Sequence, residues 1–156
     1  HAFKVFGSYQ VTDALNIGMN FSVQSGRPKN MFGYNPTDVF AQEYGSESFY
    51  APGQLVPRGS VGNTGVVPQL DLSASYTFDL GSAGELMLRA DVFNVLNSDT
   101  ATQIREIHDD EGYGAYVRDA DGLPTDVFGP RKDPNHGLPN NWQTPRYVRL
   151  SASVQF

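Results

Sequence analysis

The chain has 156 residues, a formal net charge of −6 and no cysteine, with 18% charged and 12% aromatic residues. Disulfides and thiolate metal sites are excluded. The acidic balance argues against a nucleic-acid partner, because phosphate binding needs a basic face. No apolar stretch approaches the twenty residues of a transmembrane α-helix, so an α-helical span within this sequence is excluded.

Five segments alternate apolar and polar residues with the period of two that is typical of β-strands. Short turns at 12–14 and 81–84 join strands, whereas two long segments rich in glycine, proline and polar residues separate them. We therefore predict an all-β chain of about five antiparallel strands. The predicted strands are residues 3–11, 15–25, 69–80, 85–96 and 144–156, and the long segments are 26–68 and 97–143.

The last predicted strand carries the most information about environment. Its apolar set alternates strictly with a polar set and ends on an aromatic residue. A transmembrane β-strand of about 9–11 residues has this form, with one face toward lipid and the other toward a polar interior. The apolar set is Val148, Leu150, Ala152, Val154 and Phe156, with Arg146 at its start, and the polar set is Tyr147, Arg149, Ser151, Ser153 and Gln155.

The alternation of short and long connections predicts which side of a membrane each faces. Outer-membrane barrels have short periplasmic turns and long outer loops, so we expect 26–68 and 97–143 to be extracellular and the carboxy terminus periplasmic. Five strands cannot close a barrel, because unpaired edges in lipid cost several kcal/mol per backbone group. Residues 1–156 are therefore expected to be the carboxy-terminal part of a larger transmembrane barrel, with earlier strands and a signal sequence upstream.

Two local features refine this prediction. The alternation blurs at 93–96, where a β-bulge would shift the register. Aromatic residues fall near the periplasmic strand ends, where a membrane-interface girdle is expected. These aromatic residues are Tyr9, Tyr76, Phe78 and Phe156.

Several stretches, in order and over nearly the whole chain, resemble the carboxy-terminal barrel of TonB-dependent outer-membrane receptors, specifically the Oar-like group. One departure from the group is Gly65-Val66, where an aromatic residue often follows the position of Thr64. The stretches that carry the resemblance are residues 21–28, Tyr50, 57–60, Gly62, Thr64, 70–73, 74–78, 89–97 and 145–156.

The resemblance implies a 22-stranded barrel that encloses a plug domain, with a segment near the amino terminus that engages TonB. It implies active uptake of a substrate across the bacterial outer membrane, with lipid, the rest of the barrel, the plug and the TonB complex as partners. It also implies an assembly signal that the barrel assembly machinery reads in the final strand. On this sequence that signal is Leu150, Ala152, Val154 and Phe156.

Charged residues on the strands fall on the polar face, since an Arg or Lys facing lipid costs about 2–4 kcal/mol near the midplane. We expect these residues to face the barrel lumen, where they either hold the plug by salt bridges or are simply solvated. The candidate plug-facing residues are Asp71, Arg89, Asp91 and Arg149, and Asp79 shares their face.

The first long segment is rich in aromatic residues and contains a predicted short helix at 35–44, with Pro36 near its start. Aromatic side chains in outer loops are good contacts for a substrate or partner, although they also pack loops upon themselves. The candidate contacts are Phe32, Tyr34, Phe40, Tyr44 and Tyr50.

Catalytic, metal and cofactor sites find little support. No G-x-S-x-G elbow is present. His108 has no second histidine at ligand spacing in the sequence and is predicted to be a solvated loop residue. The acidic runs at 109–111 and 119–122 lack the final Glu of an EF-hand loop. We predict no enzyme and no cofactor.

The alternatives to TonB-dependent uptake are a passive porin or other outer-membrane channel, and a soluble β-rich binding module.

Overall fold

The computed structural model describes residues 1–33, 49, 51, 54–109, 116–118, 120–121, 124–128 and 132–156. The chain divides into two compact units. The first, here the sheet unit, contains residues 1–25, 66–100 and 143–156. The second, here the loop unit, contains residues 26–65 and 101–142.

The described residues form nine β-strands and a single 3-10 turn at Gly81–Ala83, so the prediction of an all-β chain is confirmed. No helix in the described ranges is long and apolar enough to cross a bilayer. The strands are β1 (Ala2–Gln10), β2 (Leu15–Gln24), β3 (Val67–Asp79), β4 (Glu85–Phe93), β5 (Ala101–Ile104), β6 (Tyr116–Arg118), β7 (Pro124–Phe128), β8 (Pro139–Trp142) and β9 (Tyr147–Gln155).

The sheet unit is a five-stranded antiparallel sheet in the order β1-β2-β3-β4-β9. All five strands predicted from the alternation are present. The turn before β2 is closed by the Thr12 hydroxyl, which accepts a hydrogen bond from the Leu15 N–H at 3.0 Å. The turn before β4 needs glycine, because Gly84 has φ 102° and a Cβ there would collide with the Gln155 carbonyl.

The sheet departs from regular pairing after β4, as the blurred alternation predicts. Leu72 pairs with Val92, so a regular ladder would place Asn94 opposite Leu70. Instead the Val95 N–H donates to the Leu70 carbonyl at 2.7 Å. Asn94 takes a left-handed φ of 49°, which is the conformation that lets one extra residue fit into the strand.

The loop unit contains more structure than the sequence analysis predicted. The segment expected to be a loop at 97–143 contains β5, β6, β7 and β8, where β5 pairs with β8 and β6 with β7. These strands are only three to five residues long and their pairing is irregular, so period-two alternation cannot reveal them. The helix predicted at 35–44 lies outside the described residues.

Neither unit has an apolar core among its described residues. Ala51 is the single apolar side chain found fully buried there, whereas several buried residues are polar or charged. The apolar side chains of the sheet unit are largely exposed. This distribution is the reverse of that expected in a self-contained soluble domain.

Candidate functional site

The pairing register joins the apolar sets of all five strands into one continuous face. Residues directly opposite in antiparallel strands share a face, so Ile17, Ala74, Ala90 and Leu150 form one unbroken row. We call this surface the apolar face. Its members are Phe3, Val5, Gly7 and Tyr9; Leu15, Ile17, Met19, Phe21 and Val23; Leu70, Leu72, Ala74, Tyr76 and Phe78; Leu86, Leu88, Ala90 and Val92; and Val148, Leu150, Ala152 and Val154.

The apolar face is uncovered. Leu150 is 77% exposed, Phe3 60% and Leu88 44%, although each lies in a regular strand. Covering a side chain of this size is worth about 1.5–3 kcal/mol, and soluble monomers rarely expose large contiguous apolar patches. The apolar face therefore requires a cover that the described residues do not supply.

The aromatic residues predicted to form a girdle gather at one end of the sheet. Tyr9 lies beside the turn after β1, while Tyr76 and Phe78 precede the turn after β3. The rings of Tyr76 and Phe78 are 4.7 Å apart on the apolar face. Phe156 follows β9 at the same end and is fully exposed.

The opposite side of the sheet, here the polar face, carries an ionic cluster where β4 pairs with the edge strand β9. Asp91 is 4% exposed and accepts from two arginines. The Arg89 Nε donates to Oδ1 at 2.9 Å, and the Arg149 Nη2 donates to Oδ2 at 3.0 Å. Asp91 and Arg149 are direct partners on β4 and β9, so the sheet register itself brings these side chains together.

Two aromatic rings, Phe93 on β4 and Tyr147 on β9, lie beside this cluster. The Arg149 guanidinium lies over the Phe93 ring, 5.2 Å from its centroid. Phe93 stacks on Tyr147 at 4.5 Å with an interplanar angle of 15°. The stack limits the orientations open to the Arg149 side chain, and cation–π attraction adds to the ionic bond.

Asp71 belongs to a separate network on the polar face. Its carboxylate accepts from the Asn20 amide at 3.2 Å, the Gln69 amide at 3.0 Å and the Asn94 backbone N–H at 2.9 Å. Asp71 thus fixes the extra residue that follows β4. Of the four candidate plug-facing residues, the structure brings together Arg89, Asp91 and Arg149 and places Asp71 apart from them.

Asn94 is a structural residue that the sequence analysis did not single out. It is 2% exposed, and its amide donates to the carbonyls of Ser98 at 2.9 Å and Thr144 at 2.8 Å. Its side-chain oxygen accepts from the Ser98 N–H at 3.1 Å. Asn94 therefore ties the end of β4 to the segment that leads into β9. The sequence signal that could have revealed this role is an asparagine at the point where the alternation of apolar and polar residues in β4 breaks down.

Three of the four residues proposed as an assembly signal share one face at the sheet edge. Leu150, Ala152 and Val154 lie on the apolar face of β9, and Phe156 follows the strand. β9 pairs with β4 on one side only among the described residues, so its other backbone edge is open to a further strand.

Of the five aromatic residues proposed to contact a substrate or partner, one lies in the described part of the loop unit. Phe32 is half-buried, and its ring lies 5.1 Å from that of Phe49. Its backbone forms a bridge with Ile107, so this aromatic packs within the unit. Tyr34, Phe40, Tyr44 and Tyr50 lie outside the described residues.

Ion pairs between distant parts of the sequence organise the loop unit. The Arg27 guanidinium binds the Glu106 carboxylate at 3.0 Å, and the same carboxylate accepts from the Asn30 backbone N–H at 2.9 Å. Arg105 donates to the fully buried Asp133 at 2.7 Å. These bonds join segments that are 28 to 79 residues apart.

The prediction that His108 is a solvated histidine is wrong. Its side chain is only 15% exposed, and its Nδ1 bonds the Asp109 carboxylate at 2.7 Å. Its ring meets that of His136 edge-on at 4.8 Å. The fold brings these two residues together across 28 positions, which sequence spacing could not show. In the described part of the chain, no group of three or more His, Cys, Asp or Glu is arranged to hold a metal.

Among the described residues of the loop unit, Asp133 and His136 have shifted pKa values. Burial raises the pKa of Asp133, but the Asn135 backbone N–H and the Arg105 guanidinium outweigh burial, so the net pKa lies below its ordinary value. Burial lowers the pKa of His136, and neighbouring His108 lowers it further. The bond between the His136 Nδ1 and the Ile107 carbonyl offsets only part of this decrease.

Comparison with known proteins gives no relative for this chain. No protein-family model, no curated protein and no solved structure matches it.

Proposed function

We propose that this chain forms part of the wall of a TonB-dependent outer-membrane transporter, with the apolar face toward lipid and the polar face toward the barrel interior. The observation that carries the proposal is the apolar face itself, which is continuous over five register-matched strands and exposed. We propose that membrane lipid contacts the apolar face and shields it from water.

Strand length supports a membrane rather than a protein cover. β1, β4 and β9 have nine residues each, β2 has ten and β3 has thirteen. A tilted strand of about 9–11 residues crosses the hydrocarbon core. The position of the arginines also supports this orientation, because Arg89 and Arg149 lie opposite the face assigned to lipid.

The assignment to active uptake rests on the resemblance to the Oar-like receptors. The proposed location is the bacterial outer membrane, with the long segments 26–68 and 97–143 on the extracellular side and the short turns on the periplasmic side. The rest of the barrel and a plug would complete the transporter, TonB would supply the energy, and the barrel assembly machinery would insert it. No cofactor or catalytic step is proposed.

Lipid contact can be tested directly with introduced cysteines, because residues 1–156 contain no native cysteine and any cysteine elsewhere in the full-length protein can be replaced by serine. Single cysteines in the full-length protein would be labelled with a fluorophore, and the protein folded into vesicles with brominated acyl chains. We expect strong quenching on the apolar face and weak quenching at the adjacent residue on the polar face. The matched pairs are Leu72→Cys with Ser73→Cys, Leu88→Cys with Met87→Cys, and Leu150→Cys with Ser151→Cys.

The outcomes distinguish the proposed orientation from a soluble module. Equal quenching within each pair, or none at any position, would contradict lipid contact. Boiling-dependent migration on a denaturing gel is an independent test, since a folded barrel migrates differently before heating and a soluble module does not.

A planar-bilayer measurement separates a plugged transporter from a passive porin. The full-length protein, if plugged, should give no stable open-channel steps until a denaturant displaces the plug. Persistent steps without denaturant would favour the porin. Co-purification of the periplasmic domain of TonB with the full-length protein then tests the energy coupling itself.

A further inference from the structure

The ionic cluster on the polar face contains more positive than negative charge. Two guanidinium groups, Arg89 and Arg149, share one carboxylate, so the cluster has a net charge of +1. Both oxygens of Asp91 are already occupied, at 2.8 Å by Arg89 and at 3.0 Å by Arg149. Asp71, on the same face, is satisfied by amides instead. Neither arginine has an ion pair to another carboxylate in the described part of the chain.

Both arginines keep donors available for a further ligand. Their side chains are 47% and 60% exposed, whereas the carboxylate between them is 5% exposed. Each guanidinium has five N–H donors, and only its Nε and one terminal nitrogen contact Asp91. Asp91 fixes both guanidinium groups, and the Phe93 ring fixes Arg149 further. The donors are therefore held in place before a ligand arrives.

The space next to the cluster accommodates a ligand. A depression of about 920 Å³ on the polar face is lined by Arg89, Asp91, Phe93 and Arg149, together with hydroxyl and amide side chains, apolar side chains and the carboxylates of Asp71 and Asp13. A carboxylate placed against Arg89 and Arg149 would receive charge-assisted bonds from the guanidinium groups and balance the charge of these two arginines and Asp91. A doubly charged phosphate would exceed that charge, and the carboxylates of Asp71 and Asp13 on the same lining also disfavour a second negative charge.

We propose that Arg89 and Arg149 form a clamp for one carboxylate. This inference rests on the proposed function, because it requires the polar face to enclose an interior that a ligand or polypeptide fills. The carboxylate comes either from an acidic side chain of the same protein folded against the polar face or from a dissolved acid that enters the interior. Both sources present the same chemistry to the clamp.

The experiment replaces an arginine of the clamp by lysine, so that a primary amine lies beside the bound carboxylate. The Arg149→Lys variant of the full-length protein would be treated with a water-soluble carbodiimide, which couples an amine to a carboxylate at ion-pair distance. The control is Ser153→Lys, on the same face of the same strand four residues further on. Arg89→Lys serves as a second variant, and heat-modifiable migration confirms that each variant folds.

We expect mass spectrometry to find an amide joining position 149 to an Asp or Glu other than Asp91, several-fold above position 153. This result supports the clamp with an acid of the same protein. A succinate adduct at position 149 and not at 153, after addition of succinate, supports the clamp with a dissolved acid.

Three results would overturn the clamp: coupling confined to Asp91, equal coupling at positions 149 and 153, or no coupling of the lysine introduced at position 149 or at position 89. The lipid-quenching experiment has a separate readout at other residues. A failed clamp with strong quenching therefore leaves the proposed membrane orientation intact, whereas absent quenching contradicts that orientation whatever carboxylate is found.

Discussion

The two units distribute apolar and polar side chains in opposite ways. The sheet unit exposes a continuous apolar face, while its opposite face carries the paired charges of Arg89, Asp91 and Arg149 together with the exposed apolar side chains of Phe6 and Met87. The loop unit buries polar and charged groups, with Asp133 fully enclosed and Asp109 4% exposed. The described residues leave the apolar face of the sheet unit uncovered, whereas the loop unit is held by ionic and hydrogen-bonded contacts between its own segments.

This difference predicts different sensitivities. In the proposed orientation, the effect of a substitution in the sheet unit should depend on the face on which it falls, because one face would contact lipid and the other the barrel interior. A substitution in the loop unit should matter according to the charge or hydrogen bond that it removes, because an unsatisfied buried polar group is costly.

The largest expected effect comes from a charge placed on the apolar face. Leu72→Arg should destabilise the vesicle-folded protein by about 2–4 kcal/mol, since a lipid-facing Arg near the midplane costs that much. Ser73→Arg, the adjacent residue on the polar face, should cost less than about 1 kcal/mol. Urea titration in vesicles measures both. Equal costs would remove the distinction between the faces.

A second substitution tests the junction after β4. Asn94→Ala should cost about 2–3 kcal/mol, because it removes buried hydrogen bonds and places Ala at a positive φ. Asn94→Gly tolerates the backbone conformation and should recover about 1 kcal/mol of this loss. The same titration measures both, and identical costs would show that backbone conformation is unimportant there.

Removing a buried charge tests the loop unit. Asp133→Asn should reduce hydrogen-exchange protection of the amides around 105–109 and 133–138 by about tenfold, since a charge-assisted bond to Arg105 is lost. Protection of the β3–β4 ladder serves as the internal control and should be unchanged. Loss of protection in both units would contradict their separate stabilisation.

The smallest expected effect is a pH dependence confined to the loop unit. The pKa of His136 is lowered in the folded state, so the unfolded state binds more protons and stability falls as pH drops below about 6.5. His108 and Lys132 also disfavour its protonation, while Asp133 favours it.

Amide hydrogen exchange, corrected for the intrinsic pH dependence of the exchange rate, should show that protection of the loop unit decreases from pH 7 to pH 5. The decrease should be smaller in the His136→Gln variant. Asp133 contributes in a lower window, because its lowered pKa gives stability that is lost only below about pH 3.8. A pH response that is unchanged in His136→Gln would assign the effect to another group.

The sequence alone predicted the five strands of the sheet unit and the two faces of each. Alternation with a period of two is a local property, so residues such as Leu150 and Arg149 could be assigned to opposite faces without a structure. The irregularity after Phe93 could also be located, because it interrupts that period. The same local reasoning missed β5 to β8, which are too short and irregular to show a period.

Only the tertiary structure decided which residues meet across the chain. Register joins Asp91 to Arg149 across 58 positions, and the fold places His136 against His108 and Asp133 against Arg105. Such contacts depend on how distant backbone segments pair, and composition and spacing contain no record of that pairing. The sequence therefore determined the two-faced strands, while the fold decided where their charges are satisfied.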